Sequence, residues 1–302
     1  MTKLLYLFTL VFVCNSFFVT AQTIDSLRKN IQRIVSSKNA TVGVGITDSK
    51  GRDALFINGD GHCPTQSVFK FHIALVLMSE IDKGKFSLDQ KIRITPKDLA
   101  IDMYSPIKDK YPQGTELTIA EIIQYTVSES DGIGCDVLLR LLGGPSVVEK
   151  YFQKKGFKNI SIKVNEEVMQ SKWENQFRNW TTPKSANQLL TDFYENKKQY
   201  LSAKSHEFIW KVMKATVTGE NRLRGQLPKE TVIAHKTGTS GVNKQTGIRG
   251  AVNDIGIVFL PNGEYFAISV FVTNSKENID TNEKIIADIA KAAWDYYTSK
   301  KS

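Results

Sequence analysis

Ser67 and Lys70 stand three residues apart in Gln66-Ser67-Val68-Phe69-Lys70, at the head of an apolar stretch that reads as a buried helix over residues 67–83, ended by Gly84. On a helix, residues three apart share a face, so this spacing sets an amine beside a hydroxyl. A serine is a weak nucleophile until a neighbouring base takes its proton. A helix N-terminus also supplies free backbone N–H groups where an oxyanion would form. Alone the pair carries little information, because the spacing arises by chance about once in a few hundred residues. A solvated lysine beside a helical serine accounts for it equally well. Two further elements follow. Ser130-Asp131-Gly132 falls in a loop between two helical stretches, and Lys236-Thr237-Gly238-Thr239-Ser240 lies inside an apolar strand. A lysine on the core side of a strand is costly unless it is paired or lines a cleft, and Gly238 permits a ligand to approach the backbone closely. Taken singly, Lys236 reads as well as a solvent-facing strand residue. The three elements in order, behind an export signal, favour the chemical reading.

The rest of the chain supplies the elements that position them. Its 302 residues, 41% hydrophobic and 24% charged, suit one large domain or two interleaved subdomains. Helical periodicity runs over residues 24–35. Residues 41–47 and 53–58 alternate as strands around a Ser49-Lys50-Gly51 turn. From Ser67 to about Lys214 the chain reads as mostly helical. Thr118 caps a helix through Val127, Pro145 starts another, and Thr182-Pro183 gives a cap followed by proline at the first helical position. Strands follow over residues 232–240, 254–260 and 265–273, with a Pro261-Asn262-Gly263 turn between the last two, then a helix over residues 281–297. This order predicts an α+β fold, a five-stranded antiparallel sheet flanked by helices with an inserted all-helical subdomain. The α/β part comprises residues 22–62 plus 213–302 and the helical part residues 63–212, with a cleft between them of the kind that favours small-molecule sites.

Lys3, an apolar run over residues 4–13, and Val19 and Ala21 at the minus-three and minus-one positions read as a signal peptide over residues 1–21. The mature chain then starts at Gln22 and is exported, periplasmic or secreted. A membrane anchor is the weaker reading, since the apolar core falls short of the roughly 20 residues a span needs. Cys14 follows Val13 rather than the small residue that lipid attachment requires. No later stretch is long and apolar enough to span a membrane, so no membrane association is expected after cleavage. The formal charge is +9, but the basic residues are scattered among acids and form no stripe interleaved with aromatics, which argues against a nucleic-acid partner. His62, His72, His206 and His235 form no cluster with cysteine at metal-ligand spacing, and neither a metal nor another cofactor is expected. Cys63 and Cys135 are expected to be buried and free, each lying in an apolar or tightly packed stretch. The mature chain is expected to act as a monomer on a small molecule.

The trio S-x-x-K, S-D-N and K-T-G is shared by class A β-lactamases and penicillin-binding proteins, and the chain resembles the class A serine β-lactamases along nearly all of its mature length. Tyr104-Ser105-Pro106 resembles the aromatic segment at the cleft rim. Gly143-Gly144-Pro145 resembles the helix start before the omega loop, and Glu166 matches the omega-loop glutamate. Within the family the chain is similar to the PER-type extended-spectrum group in Gln66 to Lys70, Cys135-Asp136, Asn165-Glu166, Asn179-Trp180-Thr181 and His235 through Gly241.

The resemblance implies a β-lactam substrate and a role for each residue. Ser67 attacks the lactam carbonyl, and backbone N–H groups of Ser67 and Thr239 form the oxyanion hole. Lys70 and Glu166 manage the serine proton, Glu166 activates the deacylating water, and Ser130 relays a proton to the lactam nitrogen. Lys236, Thr237, Gly238 and Thr239 face the substrate, whose carboxylate also takes an arginine. Many members draw that arginine from the strand after the lysine strand, where this chain has Asn253; Arg222 is the alternative donor, and Arg249, expected to be exposed in the connection over residues 242–252, is its rival. Tyr104 packs on the ligand. Three departures mark the chain: Gly132 replaces the asparagine of S-D-N, Gln170 replaces the asparagine that helps hold the deacylating water, and Glu167 with Asp136 replace a proline and an asparagine around the omega loop. A penicillin-binding DD-peptidase shares the trio but lacks a well-placed omega-loop glutamate. A β-lactam sensor domain acylates without turnover but needs a transmembrane link.

Overall fold

A computed structural model describes residues 23–300; the signal-peptide reading of residues 1–21 lies outside them. Five strands, β1 (Thr41–Asp48), β2 (Ala54–Ile57), β3 (Ile233–Thr239), β4 (Arg249–Phe259) and β5 (Tyr265–Ser275), form one sheet in the order β2-β1-β5-β4-β3. Every neighbouring pair is antiparallel. Successive side chains of a strand face opposite sides of the sheet, and the apolar residues divide accordingly. Val44, Ile46, Ile268 and Val270 enter one core with the terminal helices α1 (Ile24–Ser36) and α9 (Ile279–Ser299). Ile255, Ile257, Ala267 and Phe271 enter a second core with the helical block.

That block contains α2 (Phe69–Asp82), α3 (Ile119–Ser128), α4 (Gly132–Leu142), α5 (Pro145–Lys154), α6 (Glu166–Ser171), α7 (Pro183–Glu195) and α8 (Ala203–Lys214). Helix α2 is apolar on every side and is buried from Phe69 through Ser79, as a helix at the centre of a bundle must be. The chain caps its helices as the sequence predicts. The Thr118 hydroxyl accepts the Glu121 N–H while the Glu121 carboxylate accepts the Thr118 N–H. Thr182 caps α7 and Gly144 precedes α5.

Three features differ from the sequence reading. Ser67 lies in a 3-10 turn, Gln66–Val68, which leads into α2. Strand β4 begins at Arg249, inside the stretch expected to be a connection, because a bridge between Val242 and Arg249 extends its pairing. The helical block also carries two small sheets: Cys63–Pro64 and Ile160–Ser161 both pair with Trp180–Thr181, and Lys91–Ile94 pairs with Thr115–Thr118. Cys63 and Cys135 are buried and free, and burial pushes the Cys63 thiol up to about 12.

Candidate active site

The 3-10 turn leaves Ser67 half-exposed while Thr65, Gln66, Val68 and Lys70 around it are buried. The expected pairing forms: Lys70 Nζ donates to Ser67 Oγ at 2.9 Å. Lys70 is 1% exposed; it also donates to the Ser130 carbonyl at 2.7 Å and lies 3.4 Å from Glu166 Oε2. Glu166 is buried, and its other oxygen accepts the Gln170 amide at 2.7 Å. One ammonium therefore touches the nucleophile, the Ser130 backbone and the loop carboxylate.

Ser130 adopts a left-handed backbone with φ of 62°, uncommon for a residue with a side chain. The contacts around it hold that conformation. Its carbonyl takes Lys70, its hydroxyl accepts Lys236 Nζ at 2.9 Å, and the next N–H, of Asp131, donates to the Tyr125 carbonyl at 3.0 Å. Asp131 caps α4 through Gly134 and also accepts the Ile107 N–H and the Ser105 hydroxyl. The S-D pair thus ties the 105–107 segment to the site. Gly132 is buried and donates its N–H to the Tyr104 carbonyl at 3.0 Å. A Cβ there would lie 2.6 Å from Met103 Sδ and 3.1 Å from the Tyr104 carbonyl oxygen. A side chain at 132 would therefore have to displace the flexible Met103 thioether and press on the Tyr104 carbonyl.

On the facing wall, Lys236 is fully buried, donating to Ser130 Oγ and to the Thr237 carbonyl at 2.9 Å. Burial, with Lys70 nearby, drives its ammonium well below the ordinary lysine value, against the pull of Asp254 and Glu166. Thr237 shares a 2.6 Å hydrogen bond with Thr218. At Gly238 a Cβ would lie 2.6 Å from the Thr65 carbonyl and 3.2 Å from the Ser67 nitrogen, so glycine is what lets β3 lie against the nucleophile turn. Arg222 is 5% exposed. It donates to the carbonyls of Gly238 and Asn253 and, through Nη2, to Thr239 Oγ1 at 2.7 Å, while its Nε meets Glu283 at 3.0 Å. Arg249, expected to be exposed, is half-buried at the start of β4 and donates to the Ser240 carbonyl. It does not line the cavity of about 240 Å³ that gathers Ser67, Lys70, Ser130, Glu166, Arg222 and Thr237. Tyr104, 61% exposed, stands at the rim of that cavity. A second groove, of about 520 Å³, adjoins it through Tyr104, Gln170 and Thr239 and runs between residues 169–176 and 239–245.

Sequence reasoning missed several supports. Asn253 is noted above only for not being arginine, yet its amide donates to the carbonyls of Pro64 and Thr65 and pins β4 to the segment before Ser67. Buried Asn179 accepts the N–H groups of Lys163 and Val164 and donates to the Val164 carbonyl. Asp136 accepts the N–H groups of Glu166 and Glu167 at 2.7 and 3.0 Å and the Asn165 amide at 2.9 Å. A proline at 167 has no N–H to give, so Glu167 and Asp136 are complementary departures. Burial raises the Asp136 carboxyl to about 6.

Residues 26–297 match the model of the beta-lactamase enzyme family. The chain is 55% identical to beta-lactamase VEB-1 of Pseudomonas aeruginosa over 94% of each chain. It is 39% identical to extended-spectrum beta-lactamase PER-1 of Pseudomonas aeruginosa, over 97% of this chain and 94% of that one. The crystal structure of TLA-3 extended-spectrum beta-lactamase superposes with a TM-score of 0.89 at 47% identity, over 92% of this chain and all of the other.

Proposed function

The chain belongs to the beta-lactamase enzyme family and is a class A serine hydrolase of the β-lactam amide, and from that premise we propose which of its residues carry each step. Ser67 Oγ bonds to the lactam carbonyl carbon, and its proton passes to the Lys70–Glu166 pair. The oxyanion rests on the backbone N–H groups of Ser67 and Thr239, at the point where Gly238 brings β3 to the serine turn. When the carbon–nitrogen bond breaks, Ser130 gives the nitrogen its proton and is reprotonated by the proton that the Lys70–Glu166 pair took from Ser67, while Lys236, 2.9 Å away, steadies that hydroxyl. Glu166, oriented by Gln170, takes a proton from the water that attacks the ester, and Ser67 leaves with a proton to restore the resting site. Lys236, Arg222, Thr237 and Thr239 bind the substrate carboxylate, and Tyr104 covers the bound ring. The adjoining groove accepts bulky side chains of penicillins and cephalosporins.

The observation that carries this reading is the buried Lys70 ammonium in contact with both Ser67 and Glu166. Glu166→Gln tests it. A positioned general base contributes about 10²- to 10⁴-fold, and glutamine cannot accept a proton. Deacylation should slow by about that factor while acylation continues. Mass spectrometry after brief exposure to a cephalosporin should find an adduct on Ser67 that persists in Glu166→Gln and clears quickly in Glu167→Gln. Equal clearance in the two variants removes Glu166 from the role of deacylating base.

The proposal extends to the protein's setting. The mature chain is exported and begins at Gln22 after cleavage of residues 1–21; among the described residues no helix is long and apolar enough to cross a membrane. The α/β part comprises residues 22–62 plus 213–302 and the helical part residues 63–212, and the mature chain acts on β-lactams as a monomer and binds no nucleic acid.

A further inference from the structure

The turn over residues 216–222 meets β3 at more places than its arginine alone. The Thr216 hydroxyl donates to the His235 carbonyl at 2.7 Å, and the Val217 N–H donates to the Ser128 carbonyl at 3.1 Å. The Arg222 N–H closes the turn on the Gly219 carbonyl at 2.9 Å. Gly219 has φ of 74°, and a Cβ there would lie 2.5 Å from Thr237 Cγ2. Glycine therefore lets the turn press directly on the strand. Thr218, half-buried beside it, lines the same cavity as Ser67, Arg222 and Thr237.

Thr237 and Thr239 alternate along β3, so they share one face of it. Each hydroxyl is met by this one turn. Arg222 Nη2 donates to Thr239 Oγ1 at 2.7 Å, and Thr218 Oγ1 lies 2.6 Å from Thr237 Oγ1. A guanidinium only donates, so Thr239 accepts and keeps its own proton free for a ligand. The direction of the second bond follows from counting protons. A hydroxyl has one proton to give, and a carboxylate only accepts. Once Thr237 donates to the substrate carboxylate, the 2.6 Å bond has to run from Thr218 to Thr237. A hydroxyl that accepts a hydrogen bond is polarised to donate a stronger one. We propose that Thr218 is a positioning residue for substrate recognition: its hydroxyl donates to Thr237 and frees the Thr237 proton for the substrate carboxylate, as Arg222 frees that of Thr239. The inference rests on the reading of Thr237 and Thr239 as ligands of that carboxylate.

Thr218→Val keeps the shape and removes the hydroxyl, whereas Thr218→Ser keeps the hydroxyl. The test compares a β-lactam bearing its free ring carboxylate with the methyl ester of the same compound. From the net worth of a neutral hydrogen bond, the KM of Thr218→Val for the acid should rise about threefold to tenfold, with kcat altered less than KM. The ester should be little changed, and Thr218→Ser should behave as the parent. Thr218→Val combined with Thr237→Val should match Thr237→Val alone, because a residue that acts through another adds nothing once its partner is gone. Equal losses for acid and ester, or a Thr218→Ser chain as impaired as Thr218→Val, mean a merely structural role and overturn the proposal. A further rise in KM in the double variant means that Thr218 meets the substrate by itself, which also overturns it. A parent enzyme that does not distinguish acid from ester overturns the carboxylate reading and this inference together. A parent that does, beside a Thr218→Val chain that behaves like it, overturns the inference alone. If Thr218→Val does not fold, Thr218→Ala takes its place in the same comparisons.

Discussion

The two walls of the cleft are built by different means. The β3 wall is the edge strand of the five-stranded sheet, paired with β4 from Ile233 to Thr239. The opposite wall, which carries Glu166, is a six-residue helix. Apart from its own capping residue Asn165, that helix is held by a few side chains: Asp136 at its start, Asn179 beneath the segment before it, the Asn175 amide on the Val168 carbonyl, and Lys70 on Glu166. Ladder bonds share strain across many residues, whereas a helix end held by a few side chains loses much of its support with any one of them. On the proposed roles, recognition of the substrate carboxylate therefore sits on the firm wall and deacylation on the adjustable one. On the loop wall the departures at 136 and 167 answer each other, since Asp136 accepts the Glu167 N–H.

Variants can separate the walls. Ser67→Ala should have the largest effect, lowering hydrolysis by about 10⁴-fold or more, with the circular dichroism spectrum unchanged. Since the β3 wall is intact in that chain, non-covalent binding of a β-lactam should persist, measured by calorimetry; loss of binding along with chemistry would mean that recognition depends on the nucleophile turn. Arg222→Ala should come next. A hydrogen bond to a charged group contributes about 1.5–3 kcal/mol, so kcat/KM should fall about tenfold to a hundredfold, mainly through KM. Arg249→Ala should cost less, and the reverse order would transfer the substrate contact to Arg249. The smallest effect concerns the loop wall. Because burial raises Asp136 to about 6, above its ordinary carboxylate value, the folded chain holds a proton there that the unfolded chain has released. Stability from this group is therefore present at pH below about 4 and is lost as pH rises towards about 6. Thermal melts of Asp136→Asn should show a flatter dependence than the parent over that window. A parallel pair of curves would mean that Asp136 does not titrate there.

Much of the fold was legible because hydrophobic period and capping chemistry are local. Thr118 with Glu121, the Thr182-Pro183 step and the alternating strands needed only neighbours in sequence. The order of residues around Ser67 was legible too, through the trio and Glu166. What escaped was tertiary. The start of β4 at Arg249 follows a polar connection and is strand because β5 and Val242 pair with it. The 3-10 turn at Ser67 depends on the strand that presses against it at Gly238. Asn179 and Asn253 act through backbone groups of distant segments, and no local pattern announces such a partner.

Gly132 also couples the floor of the cleft to its rim. Because Met103 and the Tyr104 carbonyl crowd the space where a side chain at 132 would begin, a larger residue there pushes first on the flexible Met103 thioether and then on the backbone that carries Tyr104. A change at 132 is therefore felt at the mouth of the cleft, where Tyr104 stands, as well as at the turn that holds Ser130.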